Sequence, residues 1–338
     1  MNHTINVAVI GASGYTGLEL IKILINHPHF NIAYVATSAG GEVLDVMHPS
    51  LKNIFTCNVQ KASAKAIAAS CELAFLALPH KASMGFAKEL LESGVKVVDL
   101  SADYRLELET YEAYYCVHED KAHLPEAVYG LPELYREAIK TTSLVANPGC
   151  YPTASLLALA PFCAYIDAAF PIFIDAKSGV SGAGKKCTET THFISINENM
   201  FPYKAWDHRH EPEISEKLLK HSGKRFDINF VPHLIPATRG EMIDAYMLVK
   251  GDFDPLAVLR EFYKEAPFVR IFEHPVDLKS CAGTNFCDIY AKRRDNKLYL
   301  NSSVDNILRG ASSQAVVNAN LMFGFDEGTA IPTIAYVP

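Results

Sequence analysis

Asn6-Val7-Ala8-Val9-Ile10-Gly11-Ala12-Ser13-Gly14-Tyr15-Thr16-Gly17, followed by Leu18, Leu20, Ile21, Ile23 and Leu24 at helical spacing, decides the fold. An apolar run of strand length passes into a glycine-rich turn and then into a helix. Glycines in such a turn let the backbone approach a pyrophosphate, and the helix N-terminus presents N–H donors to it. The spacing is G-x-x-G-x-x-G, so Ser13 stands where the commoner dinucleotide fingerprint has glycine. Gly11, Ser13, Gly14, Tyr15, Thr16 and Gly17 are the first candidate cofactor contacts.

The second strand-like run, Asn31 to Ala36, ends in Thr37-Ser38-Ala39-Gly40-Gly41. An NAD-preferring site usually places Asp or Glu here against the ribose hydroxyls; hydroxyls and glycines, Ser38 among them, point instead to NADP. Further strand-like runs at Leu73–Leu78 and Val95–Leu100 flank a helical pattern, Ala82 to Leu91. Strands alternating with helices predict a doubly wound parallel sheet, with ligands at the strand ends. Those ends carry Pro79-His80 and Ser101-Ala102-Asp103-Tyr104-Arg105; Arg105 suits an anionic substrate group.

Ser143–Ala146 reads as one more strand and leads into Asn147-Pro148-Gly149-Cys150-Tyr151-Pro152-Thr153. The apolar run Ala154–Leu159 continues this as a buried helix with Cys150 at its start. A helix N-terminus favours thiolate over thiol, which makes Cys150 the candidate nucleophile. After it the pattern changes to strand-like runs with few helices between most of them: Pro171–Ala176, Ile228–Leu234, Asp244–Val249 and Leu298–Val304. This predicts a second, α+β domain on a mainly antiparallel or mixed sheet. The expected boundaries are residues 1–149 with 306–338 for an NADP-binding Rossmann-type domain, and 150–305 for a catalytic and dimerisation domain. A last helical pattern, Ala311 to Phe323, returns to the first domain.

Three polar stretches lie in the second half. Lys177-Ser178-Gly179-Val180-Ser181-Gly182-Ala183-Gly184-Lys185-Lys186 is a Gly/Ser loop suited to a phosphate or a cofactor, although Lys186 breaks the Walker A spacing. Asp207-His208-Arg209-His210-Glu211-Pro212-Glu213 opens a helix, with Pro212 in its first turn. A histidine here is expected to move a proton, oriented by Glu213, with Arg209 for an anion. His210 is favoured, being held next to the helix start, and His208 is the alternative. An H-x-H pair without a matching carboxylate or cysteine pattern predicts no metal. Arg239, in Pro236-Ala237-Thr238-Arg239-Gly240, would join Arg105 and Lys185 around a doubly charged substrate.

Composition narrows the class. The chain has 338 residues, 49% hydrophobic and 20% charged, with net charge −7, so no nucleic-acid footprint is present and the partner is a small molecule. Eight cysteines without a C-x-x-C pair signal neither a zinc site nor a disulfide framework and suit a reducing cytosol. Residues 1–6 run into the first strand without a basic, cleavable leader, and no apolar stretch approaches the roughly 18 residues that span a bilayer. A soluble cytoplasmic enzyme is expected, and the exposed sheet of the second domain suggests a homodimer or tetramer.

Taken together, these motifs resemble the N-acetyl-gamma-glutamyl-phosphate reductases of arginine biosynthesis, in the wider group that includes aspartate-semialdehyde dehydrogenase. The resemblance covers nearly the whole chain: Gly11–Leu20, Ala77–His80, Asp99–Arg105, Asn147–Thr153, Lys177–Gly184, His208–Glu213 and Pro236–Gly240. It departs near Ser38, where Ala39 stands and relatives often carry Arg. It implies NADP as cofactor, Cys150 as nucleophile and reductive dephosphorylation of an acyl phosphate through a thioester. Asn147 and the Cys150 N–H would then serve an oxyanion. Arg105, Arg209, Arg239 and Lys185 would divide the phosphate and the α-carboxylate. Ser38, Pro79, His80, Ser178, Gly179, Ser181, Gly182 and Asn306 complete the expected cofactor site. A dinucleotide-sensing protein that lost catalysis is the rival class, and it predicts an unreactive Cys150.

Overall fold

The computed structural model describes residues 4–336. Its strands are β1 (Ile5–Ile10), β2 (Phe30–Thr37), β3 (Gln60–Lys61), β4 (Leu73–Leu76), β5 (Lys96–Asp99), β6 (Val128–Tyr129), β7 (Leu144–Ala146), β8 (Ile172–Gly179), β9 (Phe201–Pro202), β10 (Ile228–Ile235), β11 (Glu241–Leu248), β12 (Val269–Ile271), β13 (Cys287–Arg294) and β14 (Lys297–Val304). The helices are α1 (Tyr15–Leu24), α2 (Leu44–Met47), α3 (Ala64–Ala68), α4 (Ser83–Glu92), α5 (Leu108–Tyr114), α6 (Pro132–Thr141), α7 (Cys150–Leu159), α8 (Phe193–Ile196), α9 (His210–Ser222), α10 (Pro255–Phe262) and α11 (Ser312–Met322). They form two compact units, Met1–Pro148 with Ala311–Ile331, and Gly149–Gly310 with Pro332–Pro338.

The first unit is a parallel sheet in the order β3-β2-β1-β4-β5-β7-β6, the doubly wound arrangement read from the sequence. Its central strands are buried on both faces, which is why β1 and β4 are continuous apolar runs rather than alternating ones. Strand order reverses between β1 and β4, and the glycine turn follows β1. Helix α11 joins this unit from far along the chain and is buried over its whole length despite its Ser, Gln and Asn residues. Those side chains bond to neighbouring elements: Ser312 Oγ donates to Thr16 O at 3.0 Å, and Gln314 Nε2 and Asn318 Nδ2 each donate to Gly130 O at 2.9 Å. Asn320 Oδ1 meets His27 Nε2 at 2.9 Å. A helix with no solvent face thus keeps its polar side chains because the carbonyls and rings around it need partners.

The second unit is a mixed sheet, β12-β13-β14-β11-β8-β10-β9, with parallel pairing only at β12–β13 and β8–β10. Inward positions of β8 (Ile172, Ile174, Ala176) and β11 (Ile243, Ala245, Met247) are buried, and α7 packs on β11, β14 and α9. The opposite face carries Phe173 and Tyr246, each about half exposed. The sequence reading leaves β3, β6, β9, β12, β13, α2, α3, α5, α6, α8 and α10 unassigned; β13 reads Cys-Asp-Ile-Tyr-Ala-Lys-Arg-Arg, and its charged end conceals a strand whose first five residues are buried.

Asn318→Ala should lower stability by about 2–4 kcal/mol, because the Gly130 carbonyl and Asn147 Oδ1 lose a buried donor. The shift of the urea midpoint relative to the native chain measures it; a shift below about 0.5 kcal/mol would remove α11 from the role assigned to it.

Candidate active site

In the first unit the glycine loop divides its glycines by task. Gly11 has φ +93°, and a Cβ there would lie 2.1 Å from Ala77 O; at Gly17 it would lie 2.4 Å from Gly11 O. The protein's own packing therefore demands both. At Gly14, the N-cap of α1, a Cβ would meet nothing nearer than Gly11 O at 3.6 Å, an ordinary contact. Gly14 holds open a cradle at a helix start with no side-chain cap, which fits a pyrophosphate seated there. Ser13 and Tyr15 are exposed beside it, Thr16 is half-buried, and Ser38 is exposed just past the end of β2.

The loop after β4 is fixed by one carboxylate. Asp103 accepts from Lys81 N at 2.8 Å, Ser83 N at 3.2 Å and Tyr111 OH at 2.8 Å, which holds Lys81 at φ +75°. His80 Nδ1 accepts from Ala102 N at 3.0 Å, so its Nε2 carries the proton, and Pro79 is exposed next to it. Arg105, the expected substrate contact, follows in the loop after β5. It is 5% exposed, and its Nε and Nη2 donate to Asn147 O at 2.7 Å and Leu100 O at 2.8 Å, so it ties the ends of β5 and β7 together. Asn147, the expected oxyanion donor, donates from Nδ2 to Ala311 O and accepts at Oδ1 from Asn318, both at 3.0 Å, which ties it to α11.

In the second unit, Cys150 is the first residue of α7, with Gly149 as N-cap. Pro152 at the third helical position removes one N–H, and the residues behind it are buried. Glu213, fully buried, accepts from Gly149 N at 3.0 Å, which fastens the start of α7 to α9. His208 and His210 stand at the start of α9 with ring centroids 4.8 Å apart, and the Tyr151 ring meets both edge-on at 5.7 and 5.9 Å. Phe230 and Tyr203 close the nest, with Tyr203 OH 3.3 Å from Tyr151 OH. Burial, reinforced by Lys204 and Arg209, lowers the His208 pKa to about 4. Its Nδ1 accepts from His210 N at 3.2 Å, so the neutral ring carries its proton on Nε2. Arg209 is half-buried at the N-cap of α9.

The Gly/Ser loop is a short 3-10 turn, Val180–Ala183, packed on the turn between β10 and β11. A Cβ on Gly179 would lie 2.9 Å from Arg239 N, and one on Gly182 would lie 3.0 Å from Ser178 Oγ. Asn306 accepts from Gly240 N at 2.9 Å and donates to Ser181 Oγ at 3.0 Å, so this expected cofactor contact ties the loop to the strand turn. Arg239 pairs with the buried Asp305 at 3.3 Å and lies over the Tyr336 ring, whereas Lys185 is exposed. Four residues at this site carry no role in the sequence reading: Tyr151, Tyr203, Gly310 and Glu241. A Cβ on Gly310 would lie 2.7 Å from Cys150 Cβ, so only glycine allows that approach. Glu241 is fully buried beside Cys150.

Comparison with known proteins matches two family models: "Semialdehyde dehydrogenase, NAD binding domain" over residues 6–142 and "Semialdehyde dehydrogenase, dimerisation domain" over 150–306. The chain is 60% identical over 334 residues to an N-acetyl-gamma-glutamyl-phosphate reductase of Sulfurovum sp. (strain NBC37-1), covering 99% of this chain and 100% of that one. It is 46% identical over 337 residues to a protein of the same name from Methanocaldococcus jannaschii, covering 95% and 96%. Among solved structures, aspartate semialdehyde dehydrogenase II from Vibrio cholerae, complexed with ASA, superposes with a TM-score of 0.74 at 18% identity, covering 95% of this chain and 99% of that one. The Candida albicans aspartate semialdehyde dehydrogenase with NADP gives 0.69 at 14% identity, covering 95% and 98%. These likenesses show the fold.

His208 sets a pH dependence. The folded ring binds its proton more weakly than the unfolded one, so this contribution to stability is complete above the unfolded value of 6.5 and declines as pH falls toward about 4. The full span is roughly 3 kcal/mol. Thermal melts from pH 7 down to pH 4 should fall less steeply in His208→Gln than in the native chain; parallel profiles would place the ring in water.

Proposed function

This chain belongs to the semialdehyde dehydrogenase family and, within it, to the N-acetyl-gamma-glutamyl-phosphate reductases, and from that membership we propose how its residues carry the reaction. The activity is NADP-dependent reductive dephosphorylation of N-acetyl-gamma-glutamyl phosphate in arginine biosynthesis, yielding N-acetylglutamate semialdehyde and phosphate. The observation that supports the residue assignment is the construction around Cys150: a helix start held by Glu213 and a pair of imidazoles edged by Tyr151.

Cys150 Sγ attacks the acyl carbon, the bond to phosphate breaks, and a thioester forms. Backbone N–H groups at the start of α7 receive the tetrahedral oxyanion, with Asn147 beside them in the chain. NADPH, when bound, supplies the hydride that reduces the acyl group. The two histidines divide the remaining work. His208, neutral with its proton on Nε2, is a fixed hydrogen-bond donor and a weak base; His210 exchanges the proton at the substrate oxygen. Arg209 and Lys185 take the anionic groups of the substrate, while Arg105 and Arg239 brace the framework. The glycine cradle around Gly14, with Ser13, Tyr15, Thr16 and Ser38, holds the cofactor, helped by Pro79 and His80.

The protein works as a cytoplasmic homo-oligomer. The outer face of the second sheet, where Phe170, Phe173 and Tyr246 are each about half exposed, forms a symmetric contact with a second copy. Among the described residues no helix is long and apolar enough to cross a membrane.

Cys150→Ser should lower phosphate-dependent NADPH formation from N-acetylglutamate semialdehyde by at least about 10⁴-fold, with NADP affinity kept; loss of both would sink the nucleophile assignment. Gly14→Ala should weaken NADPH binding about 10-fold while moving stability by under about 1 kcal/mol, because its Cβ meets the cofactor rather than the protein. Unchanged affinity in fluorescence titration would move the cofactor off this loop.

A further inference from the structure

NADP differs from NAD by one phosphate, on the 2′ oxygen of the adenosine ribose. In a doubly wound sheet that ribose lies past the carboxyl end of the second strand, where an arginine commonly takes the phosphate. Here β2 runs into Thr37-Ser38-Ala39-Gly40-Gly41, a turn with the exposed Ser38 hydroxyl and no positive charge. A phosphate monoester carries close to two negative charges near neutral pH, so one hydroxyl leaves it largely uncompensated.

A cation stands on the neighbouring strand. β3 runs parallel to β2 at the edge of the sheet, so it ends at the same carboxyl edge as β1 and the glycine turn. Lys61, the last residue of β3, lies opposite Thr37, and such partners stand about 4.8 Å apart with their side chains on one face. The Thr37 side chain shows which face this is, because its Oγ1 accepts from Gly40 N at 3.0 Å and the turn folds over it. Gly40, at φ +68°, closes on β3 itself: a Cβ there would lie 2.4 Å from Lys61 N. Ala62 N donates to Thr37 O at 2.9 Å, and Tyr34 OH donates to Lys61 O at 2.8 Å. The backbone of Lys61 is thus fixed against the turn, while its side chain is exposed and, among the described residues, pairs with no carboxylate. The segment that delivers β3 is also anchored at the glycine turn, where His48 Nε2 donates to Ala12 O at 2.7 Å.

We propose that Lys61 is the residue that selects NADP, its ammonium pairing with the 2′-phosphate while the Ser38 hydroxyl donates to the same group. The inference rests on the cofactor lying over the Gly14 cradle, and it assigns the group that tells NADP from NAD there. Lysine supplies a point charge on a flexible stem, which suits a phosphate held at a solvated rim. An edge strand also carries lysine to keep other strands from pairing with it. That task is served by a charge anywhere along the strand, and it gives no reason for Gly40 to close on the Lys61 backbone.

Fluorescence titration of the full chain with NADPH and with NADH, in the absence of substrate, tests the assignment by binding alone. Lys61→Met should weaken NADPH about 10-fold and leave NADH within about 2-fold, whereas Lys61→Arg should keep the native preference. Lys65→Met, which removes an exposed charge four residues further on, should change neither affinity. In the native protein the preference for NADPH should shrink as ionic strength rises from about 0.02 to about 0.5 M, because an exposed ion pair is screened. An unchanged ratio of the two affinities in Lys61→Met overturns the proposal. Equal weakening of both cofactors overturns it too, since the lysine would then support the turn and not the phosphate. A native preference indifferent to salt overturns it whether or not any variant folds. Gly14→Ala separates this assignment from the reading beneath it: if that variant loses NADPH and Lys61→Met does not, the lysine assignment alone falls. If neither loses it, the cofactor lies elsewhere and both fall. Failure of the reductase reading shows separately, in the turnover of the native enzyme.

Discussion

The hydrogen bond from Gly149 N to the Glu213 carboxylate, 3.0 Å long and fully buried, fixes where α7 begins. A helix start has N–H groups that the helix itself cannot satisfy, and a carboxylate is their natural partner. Because that carboxylate belongs to α9, the same bond fastens the helix that begins with Cys150 to the helix that begins with His210. The histidines are therefore located by a contact that neither makes. Tyr151 completes the arrangement, since its ring touches both imidazoles and Phe230 while its backbone belongs to the nucleophile's own turn.

Around this point the buried polar side chains fall into two kinds. Arg105, Asn147, Asn306 and Asp305 bond mainly to backbone groups and hold turns in place, which resolves their desolvation. Glu241 and His208 sit where burial opposes charge, and the environment keeps one carboxyl and one imidazole neutral near neutral pH. Framework positions and reactive positions are thus distinguished by whether the surroundings satisfy the side chain or perturb it.

Much of this was legible in the residues. The glycine turn after β1 has no alternative residue type, because Gly11 and Gly17 are required by backbone contacts, and the placement of Cys150 at a helix start follows from Pro148, Gly149 and the apolar run behind them. The backbone partners of Arg105 and Asn147 were not legible, because a side chain's residue type does not say which carbonyl it meets and only the fold supplies that partner. Strand β13 was hidden by its Lys-Arg-Arg end. Glu241 offered a signal that went unread, since alternation from Ile243, Ala245 and Met247 places it on the apolar face.

Helix α11 carries a consequence for how the chain is made. The Asn147 amide finds its acceptor at Ala311, 164 residues further along, and the Gly130 carbonyl finds its donors at Gln314 and Asn318. As the ribosome extrudes the chain, the parallel sheet emerges first with those groups still hydrated, and residues 149–310 of the nucleophile-bearing unit are synthesised before the helix that seals the sheet. The first unit to begin is accordingly still open when most of the second has been made. A nascent chain halted anywhere between the two would display an open sheet flank to the cell's chaperones.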